Sequence, residues 1–218
     1  MSAENQYIST KLKVCGLTDI DQINELINMK VDFLGFIFFE KSPRFVLNRL
    51  TLEEISATNH SGKTGVFVNE NAKRIVEIAE KANLNFIQLH GNETTEFISD
   101  LRQKLPSEIK IIKVIRIANQ SAQELQKIIS QPQSAMHYLL FDTDSEAFGG
   151  TGKTFNWQIL NEINIPVPYF LSGGISEENI KNLDILKQKP FAVDINSRYE
   201  ISPGIKDLQK IKRTHEKL

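Results

Sequence analysis

The sequence predicts an α/β protein folded as a single (β/α)8 barrel. The first observation is a regular alternation of short apolar runs, typical of buried strands, with segments whose apolar residues recur at helical spacing. Such alternation is typical of parallel strands joined by crossover helices. The second observation is that eight such units fit within 218 residues, a length that suits one closed barrel. Periodicity alone cannot show closure, so an open doubly wound sheet stays as the alternative fold.

The strand candidates are short, rich in β-branched and aromatic residues, and bounded by glycine or polar residues. They lie at residues 12–16, 33–39, 63–68, 85–89, 110–117, 138–141, 167–171 and 191–193. A helix candidate follows each strand, and Thr18 or Asp19 can cap the first. The helices are predicted at residues 18–27, 52–57, 72–82, 94–104, 122–129, 157–160, 176–186 and 205–215. No linker separates the units, so we expect one domain over residues 1–218, with residues 1–10 as a flexible N-terminal extension.

Composition places the chain among ordinary globular proteins. Apolar residues make up 40% and charged residues 24%, and the formal net charge is -1. A nearly neutral chain creates no general attraction for nucleic acid or an anionic membrane. No apolar run is long enough to span a bilayer, and the N-terminus lacks the pattern of a signal peptide. We therefore expect a cytoplasmic protein without a nucleic-acid or membrane partner.

Cys15, the only cysteine, ends the first predicted strand and is the first candidate for chemistry. Side chains alternate along a strand, so Lys13 and Cys15 share one face. A neighbouring ammonium group favours the thiolate, which is the form that acts as a base or nucleophile. A lone cysteine in a strand is more commonly a small buried apolar residue, and this interpretation stands beside the catalytic one. A single cysteine also excludes an internal disulfide.

Asp142 follows the apolar run at residues 138–141 and is the second candidate. Burial favours the neutral form of a carboxyl group, so Asp142 can hold a proton and serve as a general acid. The alternative is a carboxylate that caps the following loop. In a barrel, Cys15 and Asp142 both lie at the carboxyl ends of strands, where barrel enzymes place their active sites.

Two further strand ends suggest an anion site. Gly173 and Gly174 precede a predicted helix start at Ser176, so their backbone N–H groups can face an anion. They follow the seventh strand, whereas Asn196 and Ser197 follow the eighth. Many barrels bind phosphate between these two strand ends.

Other polar segments have weaker signals. The glycine-rich stretch 149–154 lacks the glycine spacing of a nucleotide-binding loop, so we interpret it as a lid over the site.

Arg44, stiffened by Pro43, can bind a carboxylate through two nitrogens, although a solvated arginine is the commoner case. His90 ends the fourth strand and is either a base or a structural residue. The four histidines are scattered without ligand spacing, so we expect no metal site.

The strand-end residues together resemble the phosphoribosylanthranilate isomerase family. The resemblance rests on eight segments in register: Lys-Val-Cys-Gly at 13–16, Gly35-Phe36-Ile37-Phe38 with Ser42-Pro43-Arg44, Gly65-Val66-Phe67-Val68-Asn69, Gln88-Leu89-His90-Gly91, Phe141-Asp142-Thr143, residues 149–155 with Trp157, Ser172-Gly173-Gly174, and Pro203-Gly204-Ile205-Lys206-Asp207. Each is modest alone, and the eight together are specific. Two segments depart from the family pattern. Asn196-Ser197-Arg198 replaces the usual Ser-Ser-Gly, and Phe155-Asn156-Trp157 replaces Phe-Asp-Trp.

The resemblance implies a (β/α)8 barrel of the phosphate-binding type and an isomerase of tryptophan biosynthesis that needs no cofactor. Its implied reaction is the Amadori rearrangement of N-(5-phosphoribosyl)anthranilate, a small-molecule substrate. By position, Cys15 matches the general base, Asp142 the general acid, and Arg44 the arginine that contacts the anthranilate carboxylate. The residues that match the phosphate site are Gly173, Gly174, Asp194, Asn196 and Ser197. A monomer is the favoured oligomeric state.

Two other functions stay open at this point. Another phosphosugar barrel, such as indole-glycerol-phosphate synthase or a histidine-pathway isomerase, is expected to rely on lysine and glutamate, or on paired aspartates, at strand ends. The combination of Cys15 and Asp142 fits neither pattern. The non-enzymatic alternative is a barrel that binds a phosphorylated ligand without turnover.

Overall fold

A computed structural model describes residues 10–130, 135–144 and 154–218. Eight parallel strands pair in sequence order, and the last pairs with the first, so the sheet closes into a (β/α)8, or TIM, barrel. The strands are β1 (Lys11–Val14), β2 (Phe33–Ile37), β3 (Lys63–Phe67), β4 (Phe86–Leu89), β5 (Lys110–Ile117), β6 (Tyr138–Thr143), β7 (Tyr169–Leu171) and β8 (Ala192–Ile195). The predicted barrel is thereby confirmed, and the open-sheet alternative is wrong.

Helices cover the outside of the barrel. They are α1 (Ile20–Asn28), α2 (Leu52–Ala57), α3 (Ala72–Lys81), α4 (Thr95–Lys104), α5 (Ala122–Ile129) and α6 (Leu208–His215). Polar caps fix where they begin: the Asp19 carboxylate, one of the two caps that the sequence offers for α1, accepts the backbone N–H of Gln22 at 2.9 Å. None of the helices in the described ranges is long and apolar enough to cross a membrane.

The helix predicted at residues 176–186 is wrong: the segment forms only a 3-10 helix, Ile180–Ile185. The side chain of Asn179 accounts for the difference. Its Oδ1 accepts the backbone N–H of Ser176 (2.8 Å), and its Nδ2 donates to the carbonyl of Gly174 (2.9 Å). These bonds form a local turn that competes with helical hydrogen bonding. The connection after β6 also contains a 3-10 helix, Trp157–Glu162, where the sequence predicts a short helix.

The last helix begins later than the predicted residue 205, because a hairpin precedes it. Strands β9 (Glu200–Ser202) and β10 (Ile205–Lys206) pair antiparallel at the carboxyl end of the barrel. Gly204 has a φ of +86°, a conformation that glycine adopts without strain. Asp207 then caps α6 by accepting the N–H of Lys210 at 3.0 Å.

Aromatic and aliphatic side chains fill the inside of the barrel. Phe33, Phe170 and Ala192 belong to one buried cluster, although they come from β2, β7 and β8, and the Phe33 and Phe170 rings lie 5.2 Å apart. Because residues two apart share a face, Asp194 also points inward, one layer closer to the carboxyl end. By the same reasoning Asp142 points inward beyond Leu140. This packing places the polar site above an apolar floor.

Two predicted segments lie outside the described residues. These are the N-terminal extension at residues 1–10 and the lid at residues 149–154, of which only Thr10 and Thr154 are described.

Candidate active site

Cys15 follows β1 at the carboxyl end of the barrel and is 5% exposed. Its backbone N–H donates to the carbonyl of Ile195 on β8 (2.9 Å), which continues the pairing of β1 with β8. On the other side, a Cβ on Gly35 of β2 would lie 2.9 Å from the Cys15 Sγ. Glycine at this position therefore leaves the space that the thiol occupies.

A buried ion pair lies one layer below Cys15. Lys13 Nζ donates to Asp194 Oδ1 at 2.9 Å. Burial raises the pKa of Cys15, and the charge of Lys13 opposes this rise without cancelling it. Burial also disfavours the charge of Lys13, but Asp194 and Cys15 outweigh it and hold the pKa of Lys13 above its usual value. Lys13 thus acts on the thiol in the predicted direction, whereas the net effect of the surroundings is to favour the protonated thiol.

Asp142 lies on β6 with its side chain 14% exposed, in contact with His90 at the end of β4. Asp142 Oδ2 lies 3.1 Å from His90 Nε2, and Asp142 Oδ1 accepts the backbone N–H of Thr143 at 2.8 Å. A hydrogen bond between a carboxyl oxygen and an imidazole nitrogen requires one proton between them. His90 therefore lies within hydrogen-bond distance of the Asp142 carboxyl group at the mouth of the barrel.

Asp194 connects the two predicted proton-transfer residues. Burial raises the pKa of Asp194, Lys13 opposes that rise, and the neighbouring Asp142 adds to it. Asp194 in turn raises the pKa of Cys15. Cys15 directly follows β1 and Asp142 lies near the end of β6, so the parallel barrel brings both residues to its carboxyl end, where each interacts electrostatically with Asp194.

Arg44 lies in the loop after β2, and Glu200 at the start of β9 binds its guanidinium group. Arg44 Nε lies 2.9 and 3.0 Å from the two carboxylate oxygens of Glu200, and Nη2 lies 2.6 Å from Oε2. Gly16 makes room for this arginine, because a Cβ on Gly16 would lie 2.7 Å from the Arg44 Cδ. Arg44 is therefore adjacent to the end of β1, with part of its guanidinium already bound within the chain.

The predicted phosphate site is formed by the loops after β7 and β8. Gly173 and Gly174 have φ values of +84° and +67°, and a Cβ on Gly173 would lie 2.4 Å from the Thr143 Oγ1. Neither glycine N–H donates a hydrogen bond to any acceptor in the described ranges. Ser197 begins a 3-10 turn beside Asn196 and is half-buried. These positions leave backbone donors at the mouth of the barrel, although the predicted helix start at Ser176 is absent.

The carboxylate of Asp194 already has a partner inside the barrel. Its carboxylate is bound to Lys13, and a carboxylate would repel a phosphate group. Asp194 therefore belongs to the charged group below Cys15, and a contact of this residue with phosphate stays a prediction.

Sequence reasoning missed Glu200 altogether. It included Lys206 in the resemblance but assigned it no function. Lys206 Nζ donates to Glu200 Oε1 (2.7 Å) and to Asn196 Oδ1 (2.8 Å), and both charged side chains are buried. Lys206 belongs to the segment 203–207 that the resemblance singled out, whereas Glu200 pairs with a residue 156 positions away and gave no local signal. In the part of the chain that the structure describes, no group of three His, Cys, Asp or Glu side chains is arranged to hold a metal.

Comparisons with known proteins identify the family. A family model described as N-(5'phosphoribosyl)anthranilate (PRA) isomerase matches residues 12–217. N-(5'-phosphoribosyl)anthranilate isomerase of Parabacteroides distasonis is 36% identical over 204 residues, which cover 92% of this chain and 90% of that protein. Phosphoribosyl anthranilate isomerase from Thermotoga maritima superposes with a TM-score of 0.79 and 28% identity, over 96% of this chain and 100% of that one. A phosphoribosyl anthranilate isomerase in complex with reduced 1-(o-carboxyphenylamino)-1-deoxyribulose 5-phosphate superposes with a TM-score of 0.75 and 26% identity, over 95% and 97% of the two chains. The chain belongs to the N-(5'-phosphoribosyl)anthranilate isomerase family.

Proposed function

We propose that Cys15 is the general base and Asp142 the general acid of the family reaction in this chain. That reaction converts N-(5-phosphoribosyl)anthranilate to 1-(2-carboxyphenylamino)-1-deoxyribulose 5-phosphate, a step of tryptophan biosynthesis. The observation that carries the two roles is the placement of both side chains around Asp194 at one end of the barrel. No observation favours either alternative function.

The acid acts first. Opening the ribose ring requires a proton on the ring oxygen while the bond from that oxygen to C1 breaks. In this proposal the Asp142 carboxyl group supplies it, with His90 as its hydrogen-bond neighbour. The nitrogen lone pair then forms a C=N bond to C1, which leaves a protonated imine.

The base acts second. The protonated imine withdraws electrons from C2, so the C2 proton becomes acidic, and the Cys15 thiolate removes it. The electrons of the C2–H bond form the C1–C2 double bond of an enolamine. A proton then adds at C1 while the C2 hydroxyl loses its own, which gives the ketone. Each positioned proton-transfer group typically contributes a factor of ~10²–10⁴ to the rate.

Burial of the Cys15 thiol has two opposite effects on its function as a base. Burial raises the pKa of Cys15, so fewer molecules hold a thiolate at neutral pH, but each thiolate is the stronger base. Lys13 limits the decrease in the thiolate fraction, because its ammonium group stabilises the thiolate.

The remaining side chains bind the ends of the substrate. Arg44 is placed to bind the anthranilate carboxylate, since its loop lies against Gly16 beside the base. The backbone N–H groups of Gly173 and Gly174, with Asn196 and Ser197, are placed to bind the phosphate. The known complex of a family member with a reduced product supports a ligand of this size in such a barrel.

The setting of the reaction remains a proposal that rests on the sequence. We propose a cytoplasmic location, on the basis of the composition, and a monomer as the oligomeric state.

The test is the loss of substrate fluorescence as phosphoribosylanthranilate is consumed. We expect Cys15→Ala and Asp142→Ala each to lower kcat/KM by at least about 10²-fold while unfolding at the same urea concentration as the wild type. Asp144→Ala is the matched control, because Asp144 is a more exposed carboxylate two positions beyond Asp142. It should stay within about threefold of the wild type. Full activity in either catalytic variant would refute the role of that residue.

A further inference from the structure

We propose that Glu200 is a positioning residue, which holds Arg44 in the orientation that binds the ring carboxylate of the substrate. The inference rests on the proposed function and adds a residue to its specificity. Its basis is a buried charge cluster of Arg44, Glu200 and Lys206, to which Asn196 is also bound.

The geometry of Glu200 is that of a fully bonded carboxylate. It accepts from Nε and Nη2 of Arg44, from Nζ of Lys206, and from the backbone N–H of Gly204 at 3.1 Å. Its side chain is 4% exposed, and that of Arg44 is 12% exposed. Two-point bonding of this kind fixes the plane of a guanidinium group as well as its position. Glu200 therefore leaves Arg44 little freedom to reorient.

The cluster carries a net positive charge, which a further anion would balance. Arg44 and Lys206 are two cations, and among the described residues Glu200 is the one carboxylate bound to both. A second carboxylate at Arg44 would balance the remaining positive charge. Burial opposes the charge of Glu200, but its bonds to Arg44 and Lys206 outweigh burial and hold its pKa below the usual range. Glu200 thus stays ionised near neutral pH and remains bonded to the guanidinium group of Arg44.

The location of the cluster separates it from an ordinary stabilising pair. Glu200 lies on the β9–β10 hairpin after β8, and Arg44 lies in the loop after β2, so the contact joins two loops at the mouth of the barrel. The same three charges occur on α3, where Glu77 lies between Arg74 and Lys81. That group is exposed and lies within one surface helix, so it contributes little beyond local helix stability.

The experiment compares two substrates in five proteins. The substrates are phosphoribosylanthranilate and N-(5-phosphoribosyl)aniline, which lacks the ring carboxylate. The proteins are the wild type, Arg44→Ala, Glu200→Gln, the double variant, and Glu77→Gln as the matched control. Steady-state kcat and KM are measured for each combination.

We expect Glu200→Gln to raise KM for the carboxylated substrate about tenfold and to change kcat by less than about threefold, because the carboxylate lies away from the reacting atoms. The aniline substrate should show no such rise. In the Arg44→Ala background Glu200→Gln should add no further effect, since it acts through Arg44. Glu77→Gln should match the wild type with both substrates.

Equal losses on the two substrates would overturn the inference, as would an undiminished effect of Glu200→Gln in the Arg44→Ala background. Glu200→Asp is the second variant should Glu200→Gln fail to fold. It keeps the charge but shortens the side chain by one methylene, and the same selective rise in KM is expected. A wild type that does not convert phosphoribosylanthranilate would overturn the proposed function itself, which separates the two failures.

Discussion

At the scale of the residue, three charges decide how readily Cys15 ionises. Lys13 and Lys206 lower the pKa of its thiol, and Asp194 raises it, on top of the larger increase caused by burial. Lys13 and Asp194 are bound to each other, so each also determines how strongly the other acts on the sulfur. The reactivity of the thiol therefore depends on a balance that single substitutions can shift in either direction.

We predict that Lys13→Met raises the pKa of Cys15 and that Asp194→Asn lowers it. Removing the cation destabilises the thiolate, and removing the anion stabilises it. The base is active when ionised, so kcat/KM should rise with pH as Cys15 loses its proton. That rise should move to higher pH in Lys13→Met and to lower pH in Asp194→Asn.

The measurement is the ultraviolet absorbance of the thiolate against pH, with Cys15→Ser as the blank. Cys15 is the only cysteine, so the difference reports this residue alone. An unchanged pKa of Cys15 in Lys13→Met would refute the role of the lysine.

At this scale the sequence predicted which side chains share a strand face, but it did not predict their hydrogen-bond partners from distant parts of the chain. The shared face of Lys13 and Cys15 follows from strand alternation, which needs only local sequence. The partner of Lys13 is 181 positions away, and the Arg44–Glu200 contact spans 156. Such pairs depend on how distant strands and loops align with one another. The periodicity of apolar residues in the sequence does not reveal that alignment.

At the scale of the element, Glu93 joins the loops after β3 and β4 to strand β5. Its Oε1 accepts the backbone N–H groups of Asn69 (2.9 Å) and Gly91 (3.1 Å), and its Oε2 accepts from Lys113 Nζ at 2.7 Å. Gly91 directly follows His90, the partner of Asp142. Glu93 therefore fixes the loop that presents His90.

We predict that Glu93→Gln lowers the free energy of unfolding by about 3 kcal/mol, because it leaves Lys113 buried without its counter-ion. Lys113→Met should have a similar cost, and the double variant should cost less than the sum of the two. The measurement is urea denaturation.

The control is Asp100→Asn on α4, whose partner Lys104 is half exposed, and it should cost less than about 1 kcal/mol. Strictly additive costs for Glu93→Gln and Lys113→Met would contradict the pairing.

The elements themselves follow from the sequence where local signals agree. Apolar spacing and the Asp19 cap predict α1 and place its start. The predicted helix at 176–186 failed because the Asn179 side chain bonds the local backbone, and spacing of apolar residues does not reveal that competition.

At the scale of the whole molecule, the site depends on closure of the barrel. Pairing of β1 with β8 aligns Lys13 with Asp194 and brings residues from both ends of the chain to the same mouth. Counting eight units predicts a barrel, but only the pairing of the first strand with the last shows that it closes. That residues 1–218 form one domain stays a prediction.

The central claim is that two groups on well-separated strands of one closed barrel divide the proton transfers of the isomerisation. The most direct test uses phosphoribosylanthranilate deuterated at C2 of the ribose and follows the loss of that deuterium by NMR. We predict that the wild type loses the label as it forms product, and that Cys15→Ala slows the loss at least about 10²-fold, because no base removes it. Asp142→Ala should slow it as well, since the ring must open before C2 becomes acidic. Loss of the label from C2 at the wild-type rate in Cys15→Ala would contradict the account.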